Sequence, residues 1–330
     1  MKIAVVGATG AVGKNMVKIL EELKIKIEKI DLYSSLRSKG KKIKFKEKEI
    51  IVKELNQESF NEEYDYVLFS AGASVSKKYA PIAAKHGSVV IDNSSAFRMQ
   101  KKIPLIVPEI NKHLLKKYKG IISNPNCSTI QMVLALNQIQ KNIGIKTIVV
   151  STYQAVSGAG NLAIKELIEQ SENIKNDKKI FSKQIDKNLI PIIGETLEND
   201  FTTEEEKLIK ETNKIFNSKI HIIPTAIRVP VIYGHSESVY IKTKKDTNKE
   251  EIKEYILKSE HVKIYENDLL TPKDVENSNI TYVSRIRQIK EKEYALWIVA
   301  DNLRVGAATN AIRIMLEHMK INGVDHEENI

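Results

Sequence analysis

Among 330 residues there is one cysteine, Cys127, in the stretch Ser-Asn-Pro-Asn-Cys-Ser-Thr-Ile-Gln at 123–131. The Pro-Asn pair turns the chain sharply, and Ser128 and Thr129 then open a helix. A thiol there sits at the positive end of the helix, whose free N–H groups favour thiolate over thiol. The same N–H groups can hold an oxyanion developing on a substrate carbonyl. Cys127 is therefore a candidate nucleophile; a small buried hydrophobe at a helix turn is the competing reading.

A cysteine nucleophile calls for a base. His86, His113, His261, His318 and His326 stand in helical or charged stretches and read as solvated, while His221 begins a strand. His235 follows Gly234 in Arg-Val-Pro-Val-Ile-Tyr-Gly-His-Ser-Glu-Ser at 228–238, a turn between two strands. An Arg, a Gly and a His grouped at a strand end make His235 the candidate base, with a hydrogen-bonded structural histidine as the alternative.

A second chemical signal lies at the N-terminus. Gly7-Ala-Thr-Gly-Ala-Val-Gly13 follows an apolar strand directly and opens a helix. Glycines there let the backbone turn tightly and approach a pyrophosphate seated on the helix N-terminus. The candidate cofactor contacts in this loop are Gly7, Thr9, Gly10, Ala11 and Val12; a tight strand–helix turn without a ligand is the alternative. An NAD enzyme usually ends its second strand in an acid that holds the ribose 2′-OH. Here Asp31 lies within the strand, and the following loop reads Ser-Ser-Leu-Arg-Ser at 34–38. Hydroxyls and an Arg suit a 2′-phosphate, so Ser35, Arg37 and Ser38 point to NADP.

The elements that must position these groups follow from periodicity. Lys2–Val6, Ile27–Tyr33, Tyr66–Phe69, Val89–Ile91 and Ile121–Ile122 are apolar runs expected as buried parallel strands. Helices are expected over Val12–Leu23 and around Lys77–Lys85. Strands alternating with helices predict an α/β, doubly wound sheet of Rossmann type. After Cys127 the texture changes. A helix over Thr129–Gln140 is followed by a strand at Thr147–Gln154, an irregular polar connection over 175–194 and a charged helix at Thr203–Phe216. Four strand-like stretches come next: Ile220–Pro230, Ser236–Thr243, Ile280–Ile286 and Ala295–Val299. They predict an α+β second domain with a mainly antiparallel or mixed sheet, one face covered by helices. The last helix, Ala307–Met319, is apolar enough to pack back on the first domain. The expected division is thus residues 1–127 as a nucleotide-binding domain completed by a C-terminal helix in 307–330, and residues 128–306 as the catalytic domain.

Composition narrows the function classes. The formal net charge is +10, but the lysines are scattered and aromatics make up 6%, which argues against a nucleic-acid surface. Only seven of the 52 Lys and Arg residues are Arg. An Arg in so lysine-rich a chain is a candidate for work that needs a planar fork, which singles out Arg37, Arg98 and Arg228. One cysteine can form neither an internal disulfide nor a multi-cysteine zinc site, so no metal is expected and a reducing, cytoplasmic setting fits. The apolar run of the first ten residues is too short for a signal peptide, and no run of about 18 apolar residues predicts a membrane span.

Five segments together carry a family resemblance: GATGAVG, SNPNCSTIQ, STYQAVSGAG, RVPVIYGHSESVYI and DNLRVGAATNA. They resemble aspartate-semialdehyde dehydrogenases, in the family's order and across nearly the whole chain. N-acetyl-γ-glutamyl-phosphate reductase shares the plan, but its cysteine segment reads closer to NPGCY than to NPNCS. The resemblance implies reversible, NADP(H)-dependent conversion of L-aspartyl-4-phosphate to L-aspartate 4-semialdehyde and inorganic phosphate. That step feeds lysine (through diaminopimelate), threonine, methionine and isoleucine biosynthesis. It further implies Cys127 as acyl-thioester nucleophile and His235 as acid/base. Gln154 and Asn126 would help orient the substrate, Arg228 would clamp its α-carboxylate, and Arg98 and Lys207 would hold its phosphate. Glu204 would meet its ammonium, with Glu205 and Glu206 as alternatives. Ser157, Gly158 and Asn302 would lie near the nicotinamide, and Ser70, Ala71 and Gly72 near its ribose. A homodimer or dimer of dimers, built on the second-domain sheet, is also implied; no nucleic acid or membrane partner is.

Overall fold

A computed structural model describes residues 1–174, 179–266 and 269–323 of the chain. The chain divides into two compact units, Met1–Pro125 with the segment that starts at Ala307, and Asn126–Gly306.

The first unit contains, in chain order, β1 (Lys2–Val6), α1 (Ala11–Glu22), β2 (Lys29–Ser34), a hairpin of β3 (Lys42–Phe45) and β4 (Lys48–Ile51), and β5 (Lys53–Glu54). There follow β6 (Tyr66–Phe69), α2 (Ala73–Lys85), β7 (Val89–Asp92), α3 (Pro108–Asn111) and β8 (Ile121–Ser123). Six strands form one parallel sheet in the order β5-β2-β1-β6-β7-β8. The strands are continuous apolar runs because both faces are covered. Ile3 and Val5 point into a cluster with Met16 and Leu20 of α1, while Ala4 and Val6 join Ala80 and Ala83 of α2. Tyr66 and Leu68 of β6 divide from Val67 and Phe69 in the same way. This is the two-residue period of a strand buried on both sides.

The second unit contains α4 (Cys127–Asn142), β9 (Ile145–Gln154), α5 (Asn161–Ser171), α6 (Thr203–Ile215), β10 (His221–Arg228) and β11 (His235–Thr243). It continues through α7 (Lys249–Leu257), β12 (Val262–Tyr265), β13 (Thr281–Lys290) and β14 (Glu293–Ala300). Its sheet runs β10-β9-β11-β14-β13-β12. The three inner pairings are antiparallel and the two outer ones, β9–β10 and β12–β13, are parallel, so the sheet is mixed. Pro224 sits in the edge strand β10, where a missing N–H is tolerated. After a π-helical turn at Arg304–Thr309 the final helix, α8 (Asn310–Ile321), returns to the first unit. Its Ala311, Ile312, Ile314, Met315 and Met319 join the cluster that contains α1.

The doubly wound sheet and the mixed second sheet match expectation. Seven short or polar elements were not anticipated: the lysine-rich hairpin β3–β4, and β5, α3, α5, α7 and β12. Their apolar contrast is weak, and tertiary pairing decides them. One expectation is overturned. His318 is buried rather than solvated: Tyr66 Oη lies 2.8 Å from its Nδ1, and the Tyr118 carbonyl 2.8 Å from its Nε2. Two partners make the ring acceptable on the apolar face of α8. Residues 324–330 of the expected C-terminal helix, His326 among them, and 175–178 of the expected connection lie outside the described residues.

Candidate active site

The glycine loop of the first unit is held by its own geometry. Gly7 has φ of +82°, and a Cβ on it would lie 2.8 Å from the Ser70 carbonyl oxygen. A Cβ on Gly13 would lie 2.2 Å from the Gly7 carbonyl oxygen, so α1 can approach the turn only with glycine there. Ser70 Oγ donates to the carbonyls of Val6 and Gly7, tying β6 to the loop, and Ala71 and Gly72 lead on into α2. Gly10 is the N-cap of α1 and has no side chain to satisfy the free N–H groups beyond it, at Ala11 and Val12. Thr9 Oγ1 lies 2.8 Å from Ser34 Oγ and donates to Ser38 Oγ at 3.3 Å. Ser35 caps a single 3-10 turn, Leu36–Ser38, that exposes Arg37. β2 thus ends in a hydroxyl, Ser34. Asp31 is buried and engaged elsewhere, by Lys53 Nζ at 2.7 Å and Tyr64 Oη at 2.6 Å. The second predicted anion-binding fork, Arg98, is also buried in this unit; its Nη2 donates to the Asn93 carbonyl at 2.7 Å.

In the second unit Cys127 is the first residue of α4, one position earlier than the predicted helix opening, and Asn126 is the N-cap. Asn126 Oδ1 accepts from the amides of Ser128 (3.1 Å) and Thr129 (3.4 Å). Its Nδ2 donates to Glu204 Oε1 at 2.8 Å, which also accepts from Gln154 Nε2 at 3.0 Å. Lys207 Nζ completes the group with a 2.8 Å ion pair to Glu204 Oε2. The acidic start of α6 is therefore not a solvated face. Glu204 is buried in the cluster, and Glu205 forms a capping box with Thr202 and accepts the Ala226 amide. Glu206 pairs outward with Lys210. Burial alone would raise the Glu204 pKa. The Lys207 ammonium and the two amide donors outweigh it and bring it to about 2, so Glu204 is charged.

Arg228, at the end of β10, is buried and donates from Nη1 to the Ala155 carbonyl at 2.6 Å. The Ala155 amide in turn donates to Nδ1 of His235 at 3.0 Å. A main-chain N–H cannot accept, so Nδ1 carries the lone pair and the proton of the neutral ring sits on Nε2. Burial first, and the Arg228 charge second, push the His235 pKa down to about 3. Among the described residues its Nε2 has no hydrogen-bond partner. A Cβ on Gly158 would lie 3.2 Å from Arg228 Nη1 and 3.3 Å from His235 Nε2, so Gly158 backs both side chains. Asn302 Oδ1 accepts the Gly234 amide at 2.9 Å, and Asn302 Nδ2 donates to Ser157 Oγ at 3.0 Å, which fixes the turn that precedes His235. Gly306 completes the set: a Cβ on it would fall 2.6 Å from Cys127 Cβ.

The structure thus brings Cys127, Asn126, Gln154, Glu204, Lys207, Arg228, His235, Ser157, Gly158 and Asn302 into one unit, and the glycine loop, Ser35, Arg37, Ser38, Ser70 and Arg98 into the other. Sequence reasoning missed the Ala155 amide, Gly306, Glu211 and Glu237. Glu211 carries a signal, since it lies seven residues after Glu204 and so on the same helix face. A main-chain amide carries none. Among the described residues no helix is long and apolar enough to cross a membrane, and no group of His, Cys, Asp and Glu could hold a metal ion.

Comparison with known proteins gives the family. Residues 2–118 match the semialdehyde dehydrogenase NAD binding domain, and residues 136–305 the semialdehyde dehydrogenase dimerisation domain. The aspartate-semialdehyde dehydrogenase of Aquifex aeolicus is 46% identical over 327 residues, covering 95% of this chain and 96% of the relative. That of Bacillus subtilis is 44% identical, covering 98% of each. The crystal structure of aspartate semialdehyde dehydrogenase II from Vibrio cholerae, complexed with ASA, superposes with a TM-score of 0.91 at 39% identity, covering 97% of this chain and 98% of that one. The chain belongs to the aspartate-semialdehyde dehydrogenase family of oxidoreductases.

Proposed function

We propose that this protein catalyses reversible, NADPH-dependent reductive dephosphorylation of L-aspartyl-4-phosphate to L-aspartate 4-semialdehyde, through a thioester on Cys127. The main support is the convergence in one unit of a thiol at a helix start, a charged Glu204–Lys207 pair, a buried guanidinium and a neutral imidazole with a free Nε2–H. The substrate has a carboxylate and an ammonium at one end and a phosphate at the other. Arg228 suits the carboxylate, Glu204 the ammonium, and Arg98 and Lys207 the phosphate. Gln154 and Asn126, both tied to Glu204, orient the chain between them.

The Cys127 thiolate attacks the acyl carbon. A C–S bond forms and the C–O bond to phosphate breaks; phosphate leaves with the electron pair and takes up a proton. NADPH, when bound, supplies the hydride that brings the thioester carbon to the aldehyde oxidation level. His235 Nε2–H stabilises the oxyanion of the thiohemiacetal, whose collapse re-forms C=O and releases the Cys127 thiolate. No step asks His235 for a second proton.

The nucleotide fits Gly7, Thr9, Gly10, Ala11 and Val12 at its pyrophosphate, and Ser70, Ala71 and Gly72 at a ribose. Ser157, Gly158 and Asn302 serve the nicotinamide end. NADP is favoured over NAD because β2 ends in Ser34, with Ser35, Arg37 and Ser38 beyond it, while Asp31 is held by Lys53 and Tyr64. A second copy of the chain suits the open face of the second sheet. There Val149 and Ile223 pair across β9 and β10 at 37% and 42% exposure, and Tyr153 packs on Trp297. A cytoplasmic place in lysine, threonine, methionine and isoleucine biosynthesis is consistent with this chemistry. The decisive assay is phosphate-dependent reduction of NADP by aspartate semialdehyde, with N-acetylglutamate semialdehyde as control. Preference for the acetylated aldehyde would overturn the assignment.

A further inference from the structure

Helix α6 carries a third group on the face that bears Glu204 and Lys207. Glu211 follows them at i+7 and i+4, and it is 1% exposed. Its Oε2 accepts the main-chain N–H of Asn126 at 2.7 Å. Asn126 is the residue whose side chain caps α4 and donates to Glu204. One helix therefore grips the residue before Cys127 twice, by its side chain through Glu204 and by its backbone through Glu211. On the other side, the Gly306 backbone lies against Cys127 Cα and Cβ.

We propose that Glu211 is a positioning residue for Cys127: by holding the Asn126 amide it fixes the direction in which the next side chain leaves the backbone. This rests on the reading of Cys127 as nucleophile. The N-cap amide precedes the helix ladder and has no intrahelical acceptor, so in a buried setting it needs one from elsewhere. A carboxylate is the strongest acceptor available, since charge-assisted hydrogen bonds are roughly twice as strong as neutral ones. Its charge, one residue from the thiol, opposes thiolate formation. Loss of the charge and loss of the contact therefore act on the thiol in opposite directions, and substitution can separate them.

Glu211→Gln removes the charge but keeps an acceptor oxygen; Glu211→Ala removes both. The measurements are the pH dependence of Cys127 alkylation by iodoacetamide, mapped by mass spectrometry, and kcat and KM for aspartate semialdehyde. For Glu211→Gln the alkylation midpoint should stay or move down, with kcat reduced less than about fivefold. For Glu211→Ala the midpoint should move up as the sulfur drifts from the helix terminus. Its kcat should fall about 10- to 100-fold with KM changed less than about threefold, the cost of misplacing a reacting group by about 1 Å. If the Ala variant fails to fold, Glu211→Asp, which keeps the charge and withdraws the acceptor by one methylene, should show the same upward midpoint. An alkylation profile for Ala or Asp that matches wild type or follows the Gln variant, with kcat retained, overturns the proposal. The alkylation profile reports on the thiol's surroundings whatever its part in turnover. A Cys127→Ser variant that kept its activity would refute the nucleophile reading without disturbing that measurement.

Discussion

The main-chain amide of Ala155 and Nδ1 of His235 are joined by a 3.0 Å hydrogen bond in which the histidine is the acceptor. A second proton on the ring would have to break that bond, in a buried setting beside the Arg228 charge. That bond favours His235 as a neutral donor at Nε2. Its imidazole ¹⁵N resonances should show the Nε2–H tautomer and should not titrate between about pH 5 and about pH 9. His235→Gln, which retains an N–H donor, should lower kcat more than it raises KM for the aldehyde, and His235→Ala should lower kcat further. Equal losses in the two variants, together with a ring that titrates near neutrality, would assign His235 the role of a base.

Cys127→Ser leaves the first unit untouched and replaces a thiolate by a hydroxyl that stays protonated. NADP affinity, measured by fluorescence titration, should be unchanged. Turnover should fall by a factor on the order of 10³ or more, the scale of losing a nucleophile. Near-full activity would remove the thioester from the mechanism.

Glu237, two residues after His235 on β11, is fully buried, and among the described residues neither of its carboxyl oxygens has a partner at hydrogen-bond distance and angle. Burial pushes its pKa well above 4.5, against a weaker opposing effect of Gln131, so the folded chain keeps the proton. Above the unfolded value the unfolded chain releases that proton and the folded chain does not. Stability therefore falls as pH rises, by up to about 1.4 kcal/mol per pH unit until the folded pKa is reached. Glu237→Gln removes this dependence. Melting temperatures of the variant should gain on wild type as pH is raised from about 5 to about 8. Parallel melting curves across that range would show that the carboxyl is not held neutral.

Arg37 is exposed on the turn after β2, beside Ser38. Arg37→Ala should raise KM for NADP by about tenfold, the worth of a hydrogen bond to a charged group, and leave KM for NAD nearly unchanged. Steady-state kinetics with both nucleotides decides it, and an equal effect on the two would place Arg37 away from the 2′-phosphate.

The groups that could be read from the chain were those whose side chains announce chemistry at a fixed spacing. Cys127 after Asn-Pro-Asn, the glycine loop and His235 after Gly234 each combine a reactive or permissive residue with a turn. The scarcity of arginine was a partial guide. Arg98 and Arg228 are buried, but so is Arg304, which donates to Asn279, and Arg285 and Arg287 are exposed. What could not be read were contacts made by the backbone or by the lack of a side chain. The Ala155 amide sets a tautomer, and Gly306 leaves room for Cys127; neither residue type signals such a role. His318 was misjudged because charged neighbours in sequence say nothing of the two oxygens that meet its ring.

The return of α8 to the α1 side of the parallel sheet bears on how the polypeptide is made. A ribosome completes residues 1–125 long before it reaches Ala311, Ile312 and Met315, which seal that side of the sheet. During synthesis of the intervening 181 residues, Asn126–Gly306, this apolar surface has no lasting cover, the kind of exposure that invites chaperones or aggregation. Expression of the nucleotide-binding half alone should therefore require α8 to be spliced directly after Pro125.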